Sequence, residues 1–224
     1  MLSVMSVVIK NKNFEFEGEQ EMKTKRIGLS VILFAVLLIL PLQAQADGAK
    51  ATIEAQIDKM LVKMKEPAFK DLSRDAKLTE IRNVINEVFD YEELSRRTLG
   101  RDWKKFKPEQ QTEFVDLFSK LLENVYADRI LAYTHEKIEF GKETELKPGL
   151  VEVESYIITL DNKKVPLFYR MSNRTGQWRV YDVVIEGVSM IKNYRGQFRQ
   201  ILAKKKPEDL LQTLREKVNE KPAG

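Results

Sequence analysis

The hydrophobic period of this chain changes midway, and that change limits the folds open to it. Before about Lys137, apolar residues recur at spacings of three and four, first as Ile53, Ile57, Met60, Leu61 and Met64, then as Leu78, Ile81, Ile85, Val88 and Phe89. Such spacing predicts helices that bury one stripe. Beyond Lys137 the spacing falls to two, in Ile138 and Phe140, in Val151 and Val153, and in Val165, Leu167, Tyr169 and Met171. A period of two predicts strands. Turn signals at Asp161-Asn162 and at residues 173–176 divide this region into an antiparallel meander of about four strands. The fourth strand (Trp178, Val180, Tyr181, Val183, Val184, Ile185) breaks at Gly187. Helical spacing then resumes with Val188, Ile191, Arg195, Phe198 and Leu202, and a last helix from Pro207 carries Leu210, Leu211, Leu214 and Val218. The expected fold class is α+β, with a helical N-terminal half and C-terminal helices packed on a curved four-stranded antiparallel sheet enclosing an apolar cavity.

Local signals sharpen the helical half. Pro67 closes the first helix, and the second runs over residues 75–89. Asp90 can cap a short helix over Tyr91 to Leu99, which Gly100 ends. Pro108 suits the first turn of a long helix whose apolar positions (Phe114, Leu117, Phe118, Leu121, Leu122, Val125, Tyr126, Ile130) span more than one face. A stripe that wide belongs to a helix packed between other elements, or to one that partly lines a cavity. In the second strand, Tyr156, Ile158 and Leu160 continue on the opposite parity from Val151 and Val153, which predicts a bulge or a strand buried on both faces. Lys204 to Lys206 fall where a helix C-terminus favours cations and read as caps and solvated charge.

Residues 22–46 have the three parts of a secretory leader: Lys23, Lys25 and Arg26, an apolar run from Ile27 to Leu40, and a small-residue cleavage site at Ala44-Gln45-Ala46. The run is shorter than the ~20 residues that span a bilayer core. Residues 1–21 are a polar extension or reflect a start placed too early, and 47–224 form a single domain. Without the first 46 residues the chain carries 33 basic and 30 acidic side chains. That balance predicts a mixed surface and no nucleic-acid partner. There is no cysteine. Packing and not disulfides must stabilise an exported domain of this kind, and thiol chemistry is excluded. The expected location is the bacterial envelope.

The inventory for catalysis is thin. His135, the one histidine, lies between the long helix and the first strand among polar neighbours and reads as an exposed linker residue. Nothing in the sequence matches a nucleophile elbow, a Walker loop or a dinucleotide fingerprint. Ser189 reads as a helix cap. Asp182 and Glu186 could act as acid and base in a sheet-lined pocket, but a spacing of four on a regular strand puts them roughly 13 Å apart. That exceeds the separation of an inverting glycosidase pair. Partnership with Arg170, Arg179 or Arg195, or with helix N–H groups near Val188, fits them better. No metal site and no cofactor are expected.

Two blocks carry a family resemblance. Residues 181–189 (YDVVIEGVS), with GQW before them and NYRGQF after, and residues 89–126 (FDYEELSRRTLGRDWKKFKPEQQTEFVDLFSKLLENVY) closely resemble the signatures of the MlaC/toluene-tolerance family of periplasmic phospholipid-binding proteins. Lys107 departs from the pattern, since the family usually has Thr or Ser before Pro-Glu-Gln. The resemblance implies a non-enzymatic carrier, a monomer that holds phospholipid acyl chains in an apolar slot. It further implies shuttling between an inner-membrane ABC transporter complex with its MCE-domain ring and an outer-membrane lipoprotein–porin complex. The expected lipid-binding walls are Val165, Leu167, Tyr169, Trp178, Val180 and Val184 from the sheet, with Phe89, Leu94, Leu117, Leu121, Val125, Val188 and Ile191 from the helical segments. A small-molecule enzyme using Asp182 and Glu186, and a lipoprotein carrier or chaperone, remain the competing readings.

Overall fold

A computed structural model describes residues 48–132 and 137–220. The expected leader (22–46), the expected extension before it (1–21) and His135 lie outside the described residues. The order of elements is α1 (Ala49–Lys65), a single turn α2 (Pro67–Lys70), α3 (Arg74–Asn86), α4 (Tyr91–Leu99), a 3-10 helix (Gly100–Lys105), α5 (Pro108–Leu131), the strands β1 (Lys137–Lys147), β2 (Leu150–Ile158), β3 (Lys164–Ser172), β4 (Arg179–Ile185) and β5 (Val188–Ser189), then α6 (Met190–Leu202) and α7 (Pro207–Asn219). The strands form one antiparallel sheet in sequence order. The fold is α+β as the period change requires.

Capping residues set the helix boundaries. Ser73 accepts the Ala76 N–H at 3.3 Å, Asp90 the Glu93 N–H at 2.9 Å, and Ser189 the Lys192 N–H at 3.2 Å. Each relieves one of the N–H groups that a helix start leaves unpaired. At α5, where Lys107 cannot cap, Gln110 folds back to accept the Lys107 N–H at 3.0 Å. Gly100, with φ +58°, lets the chain turn from α4 into the 3-10 helix.

Two boundaries differ from the sequence expectation. The sheet has five strands, because Val188 and Ser189 pair with Ile185 and Val184 before the chain becomes helical. Gly187 (φ +81°) and Glu186 (φ +49°) make that turn tight enough for pairing to win over an immediate helix. The helix expected to reach Phe89 ends at Asn86, because Val88 accepts the Val180 N–H at 2.7 Å and Asp90 donates to the Val180 carbonyl at 2.9 Å. Phe89 thus pairs in parallel with Val180 and ties the helical half to the sheet.

An aromatic cluster joins α5 to α6. Phe114 and Phe118 meet Phe198 edge-on at 5.6 and 5.3 Å between ring centroids, and Tyr194 meets Phe118 at 5.0 Å. Phe106, just before α5, closes on Phe114 at 5.7 Å. Offset and edge-to-face pairs of this kind add about 0.5–1.5 kcal/mol each beyond the area they bury. Leu210, Leu211 and Leu214 of α7 are fully buried beside this cluster's core. α7 runs alongside α5, with Arg215 on Glu113 at 2.7 Å and Asn124 donating to the Val218 carbonyl at 3.2 Å.

Candidate functional site: the inner face of the sheet

Register decides which side chains share a face. Val153 pairs with Tyr169 and Tyr169 with Val183; one step along, Val151 pairs with Met171 and Met171 with Val180. All six are buried. They form the inner face, against which α1 buries Ile53 and Ile57. In the other direction the same face continues as Phe140 and Ser155, then Leu167 and Ile185, then Ile138, Ile157 and Val165. Here the apolar side chains are only half-buried. The inner face is therefore graded from a closed end at Met171 and Val180 to a half-open end at Ile157 and Val165.

The polar groups on this wall are neutral. Ser155 is fully buried and donates to the Leu167 carbonyl. Burial pushes the Tyr169 phenol well above its ordinary range, with Ser155 beside it pulling the other way. Tyr169 is therefore uncharged at neutral pH. Such a surface can hold hydrocarbon and offers no acid, base or nucleophile of matched pKa.

A bulge separates this face from the carboxylates. Arg170 pairs with Asp182 while Met171 pairs with Val180, so Tyr181 is an extra residue in β4. Its insertion puts Val180, Val183 and Ile185 on the inner face and Asp182 and Val184 on the other. Asp182 is 2% exposed and accepts three groups: Arg170 Nη1 at 3.2 Å, Ser189 Oγ at 2.6 Å and the Ile191 N–H at 3.0 Å. Arg170 also donates to Glu152 at 2.8 Å. Burial works against the Arg170 charge, but Glu152 and Asp182 outweigh it and raise its pKa. Glu186 stands exposed in the positive-φ turn. The two carboxylates are not turned into a common pocket.

The thirteen expected wall residues divide accordingly. Tyr169 and Val180 lie on the inner face, and Leu94, Leu117, Leu121 and Ile191 join the same buried core from α4, α5 and α6. Leu167, Trp178 and Phe89 pack half-buried against it, and Val165 is half-buried at the open end. Val184 is buried on the opposite face, sharing a row with Phe168. Val125 and Val188 are 49% and 59% exposed, so the fold does not gather them with the rest. For Val188 the reason is the unforeseen β5 turn; for Val125 it is the wide stripe of α5, which exceeds what its neighbours cover. Ile157 and Ile185, absent from the expected walls, belong to the half-open end. For Ile185 the bulge at Tyr181 sets which parity faces in, whereas Ile157 keeps the parity of Val151 and Val153 because β2 pairs with β3 in unbroken register. Among the described residues, no group of three His, Asp or Glu side chains could hold a metal ion, and no helix is long and apolar enough to cross a membrane.

A sequence profile of the MlaC protein family matches residues 54–216. The chain belongs to the MlaC family. The intermembrane phospholipid transport system binding protein MlaC of Haemophilus influenzae is 32% identical over 126 residues, 53% of this chain and 59% of that one. The toluene tolerance protein Ttg2D of Pseudomonas putida is 26% identical over 122 residues, 53% of this chain and 55% of that protein. The aligned part thus spans little more than half the length of these curated relatives. A solved structure covers more: the phospholipid-binding protein of Ralstonia solanacearum, in complex with a phospholipid, superposes with a TM-score of 0.70 at 25% identity. That match takes in 77% of this chain and 97% of the other. The MlaC profile spans the helical half and the sheet alike.

Proposed function

We propose that this MlaC-family chain is a phospholipid carrier, and that the half-open end of the inner face is where acyl chains enter. The carrying observation is the grading itself: Ile138, Phe140, Ile157, Val165, Leu167 and Ile185 remain half-buried on a face whose other end is closed. Apolar side chains at a sheet's inner face are ordinarily covered, and an acyl chain is the cover these residues fit.

The energetics favour such a device. Each CH₂ moved from water into an apolar site gains about 0.8 kcal/mol, so a lipid with roughly thirty of them faces a desorption penalty of order 20 kcal/mol. A slot between sheet and helices offsets most of that. The mechanism is partition: the chains sit against neutral, polar-poor residues, and the charged headgroup stays in water at the mouth. The lipid-bound relative from Ralstonia solanacearum supports this reading. In the same reading the protein works in the periplasm. There it exchanges lipid with an inner-membrane ABC transporter complex bearing an MCE-domain ring and with an outer-membrane lipoprotein–porin complex.

The test is direct. Organic extraction of the purified folded protein followed by mass spectrometry should release diacyl phospholipid. Ile157→Glu and Val165→Glu should lower the yield while leaving the circular dichroism spectrum unchanged. A folded protein that yields no lipid, or one that yields lipopeptide in its place, would overturn the proposal.

A further inference from the structure

The fold brings two basic segments together that the sequence keeps about ninety residues apart. Residues 95–107, the end of α4 and the 3-10 helix, contain six Lys/Arg and one carboxylate, Asp102. Residues 190–206, α6 and the turn after it, contain six Lys/Arg and no carboxylate. The full chain is only +4, so everything outside these two segments is net −7. The charge is segregated, not merely positive.

The two segments are in contact. Arg195 of α6 donates from Nη2 to the Arg97 carbonyl at 2.6 Å, and its Nε lies 4.0 Å from where a Cβ on Gly100 would stand. At the other end, Gln110, whose side chain receives the Lys107 N–H, reaches Glu208 beside Lys206 at 3.3 Å. Lys192, Arg195 and Arg199 recur at spacings of three and four and form the outer stripe of α6. Its inner stripe, Ile191, Tyr194, Phe198 and Leu202, is buried.

Most of this charge has no acidic partner. Arg96 and Arg97 share Glu93, and Lys105 takes Asp102. Among the described residues, Arg101, Lys104 and Lys107 of the first segment are exposed without a carboxylate within ion-pair distance. The same holds for all six cations of the second segment. The nearest acids at the border are committed elsewhere: Glu208 holds Arg215, and Asp209 accepts the Lys206 N–H at 2.8 Å. Glu109 is left exposed there, as is Glu92 just before the first segment. Mutual repulsion in such a patch is relieved only by external negative charge.

We propose that this face, built from the end of α4, the 3-10 helix and α6, docks on the surface of an anionic lipid bilayer. A protein partner is the less favoured occupant. Protein interfaces centre on aromatic and aliphatic anchors with charge kept to the rim, and neither segment has an exposed large apolar side chain. The hollow on this face, about 410 Å³, is open and walled by Gln197, Gln200, Ile201, Lys204 and Lys205. Long cations without a carboxylate partner suit a diffuse sheet of phosphates, which demands charge density and no shape match. Without an apolar wedge the attachment is electrostatic, reversible and sensitive to salt. It goes beyond the carrier reading, since it concerns where the protein rests and not what it holds.

The test uses the whole chain without its leader in co-sedimentation with phosphatidylcholine vesicles and with vesicles that also contain phosphatidylglycerol. Binding is expected only to the phosphatidylglycerol vesicles at low salt, and should vanish at high salt. Reversal of three lysines together (Lys204→Glu, Lys205→Glu, Lys206→Glu) should weaken it at least ~100-fold, at about fivefold per cation removed. A charge-matched control, Lys65→Glu with Lys70→Glu and Lys147→Glu, should bind as the unaltered protein does. Equal loss in that control, equal binding to neutral vesicles, or capture by polyglutamate with no vesicle binding would each overturn the proposal. Extractable lipid is read on the same samples. Lipid-free protein that still binds the anionic vesicles sinks the carrier reading and leaves this one standing, and the reverse result does the opposite.

Discussion

The carboxylate of Asp182 and the hydroxyl of Ser189 lie 2.6 Å apart, and the bond between them fixes the turn that leads from the sheet into α6. Ser189 in turn accepts the Lys192 N–H, while the second Asp182 oxygen accepts from Ile191. One buried acid thereby organises both the last strand pair and the first turn of the helix. Replacing Asp182 by Ala should cost about 3 kcal/mol in urea unfolding, because it strands a buried hydroxyl, a backbone N–H and part of the Arg170 charge. Asp182→Asn should cost less, and lipid content per folded molecule should not change. A drop in lipid content at full stability would point instead to a role in ligand binding.

Glu93 governs the acid limb of stability. Burial opposes its ionisation, but the Arg96 and Arg97 guanidiniums at 2.6–2.8 Å overcome that and hold its pKa below the usual carboxylate value. A depressed pKa stabilises the fold above the unfolded-state pKa of about 4.3, and that contribution is lost as the pH falls through the lower folded value. Glu93→Gln should therefore reduce stability at neutral pH and flatten the decline below about pH 4. Parallel acid-denaturation curves for the two proteins would contradict this.

Gly141 sits at the β1 bulge, where a Cβ would lie 3.0 Å from the Glu154 Cβ and 2.9 Å from its Oε2. The first of these atoms cannot swing away. Gly141→Ala should lower stability by about 1–3 kcal/mol through overpacking, read as a fall in Tm. An unchanged or higher Tm would mean that β1 yields at the bulge.

Exposure separates residues that the sequence grouped. Leu121→Ala should cost about 2–5 kcal/mol, whereas Val125→Ser and Val188→Ser should stay within about 0.5 kcal/mol. Chemical denaturation of the three variants side by side is the check. A large loss from either valine would show that its exposed face is covered in solution.

The sequence made the elements legible because periodicity and capping are local. The change of period near Lys137, the Asp90 and Ser189 caps, Pro108 at the start of α5 and the turn at Asn162 are each set within a few residues. What it concealed was phase. Val180 and Val184 share parity, and only a one-residue insertion at Tyr181 sends them to opposite faces. No local signal marks that insertion, because it is stabilised by Arg170, Phe89 and Asp90 from elsewhere in the chain. The two-residue β5 was hidden for a similar reason: Val188 and Ser189 fit a helix start as well as a strand. Lys204 to Lys206 read as helix-end charge because the segment that adjoins them is about a hundred residues earlier.

The ties between helices and sheet have a consequence for how the chain acquires its shape. Lys50 donates to Glu143 across 93 residues, Arg179 reaches the Asn86 carbonyl across another 93, and Phe89 pairs with Val180. A polypeptide emerging from its N-terminus cannot make the first of these closures until β1 exists, nor the other two until the fourth strand does. Such high contact order makes folding late, slow and concerted. The helical half alone lacks the sheet, α6 and α7, against which much of its apolar surface packs. Truncation before β4 should thus leave an aggregation-prone fragment and not a smaller domain.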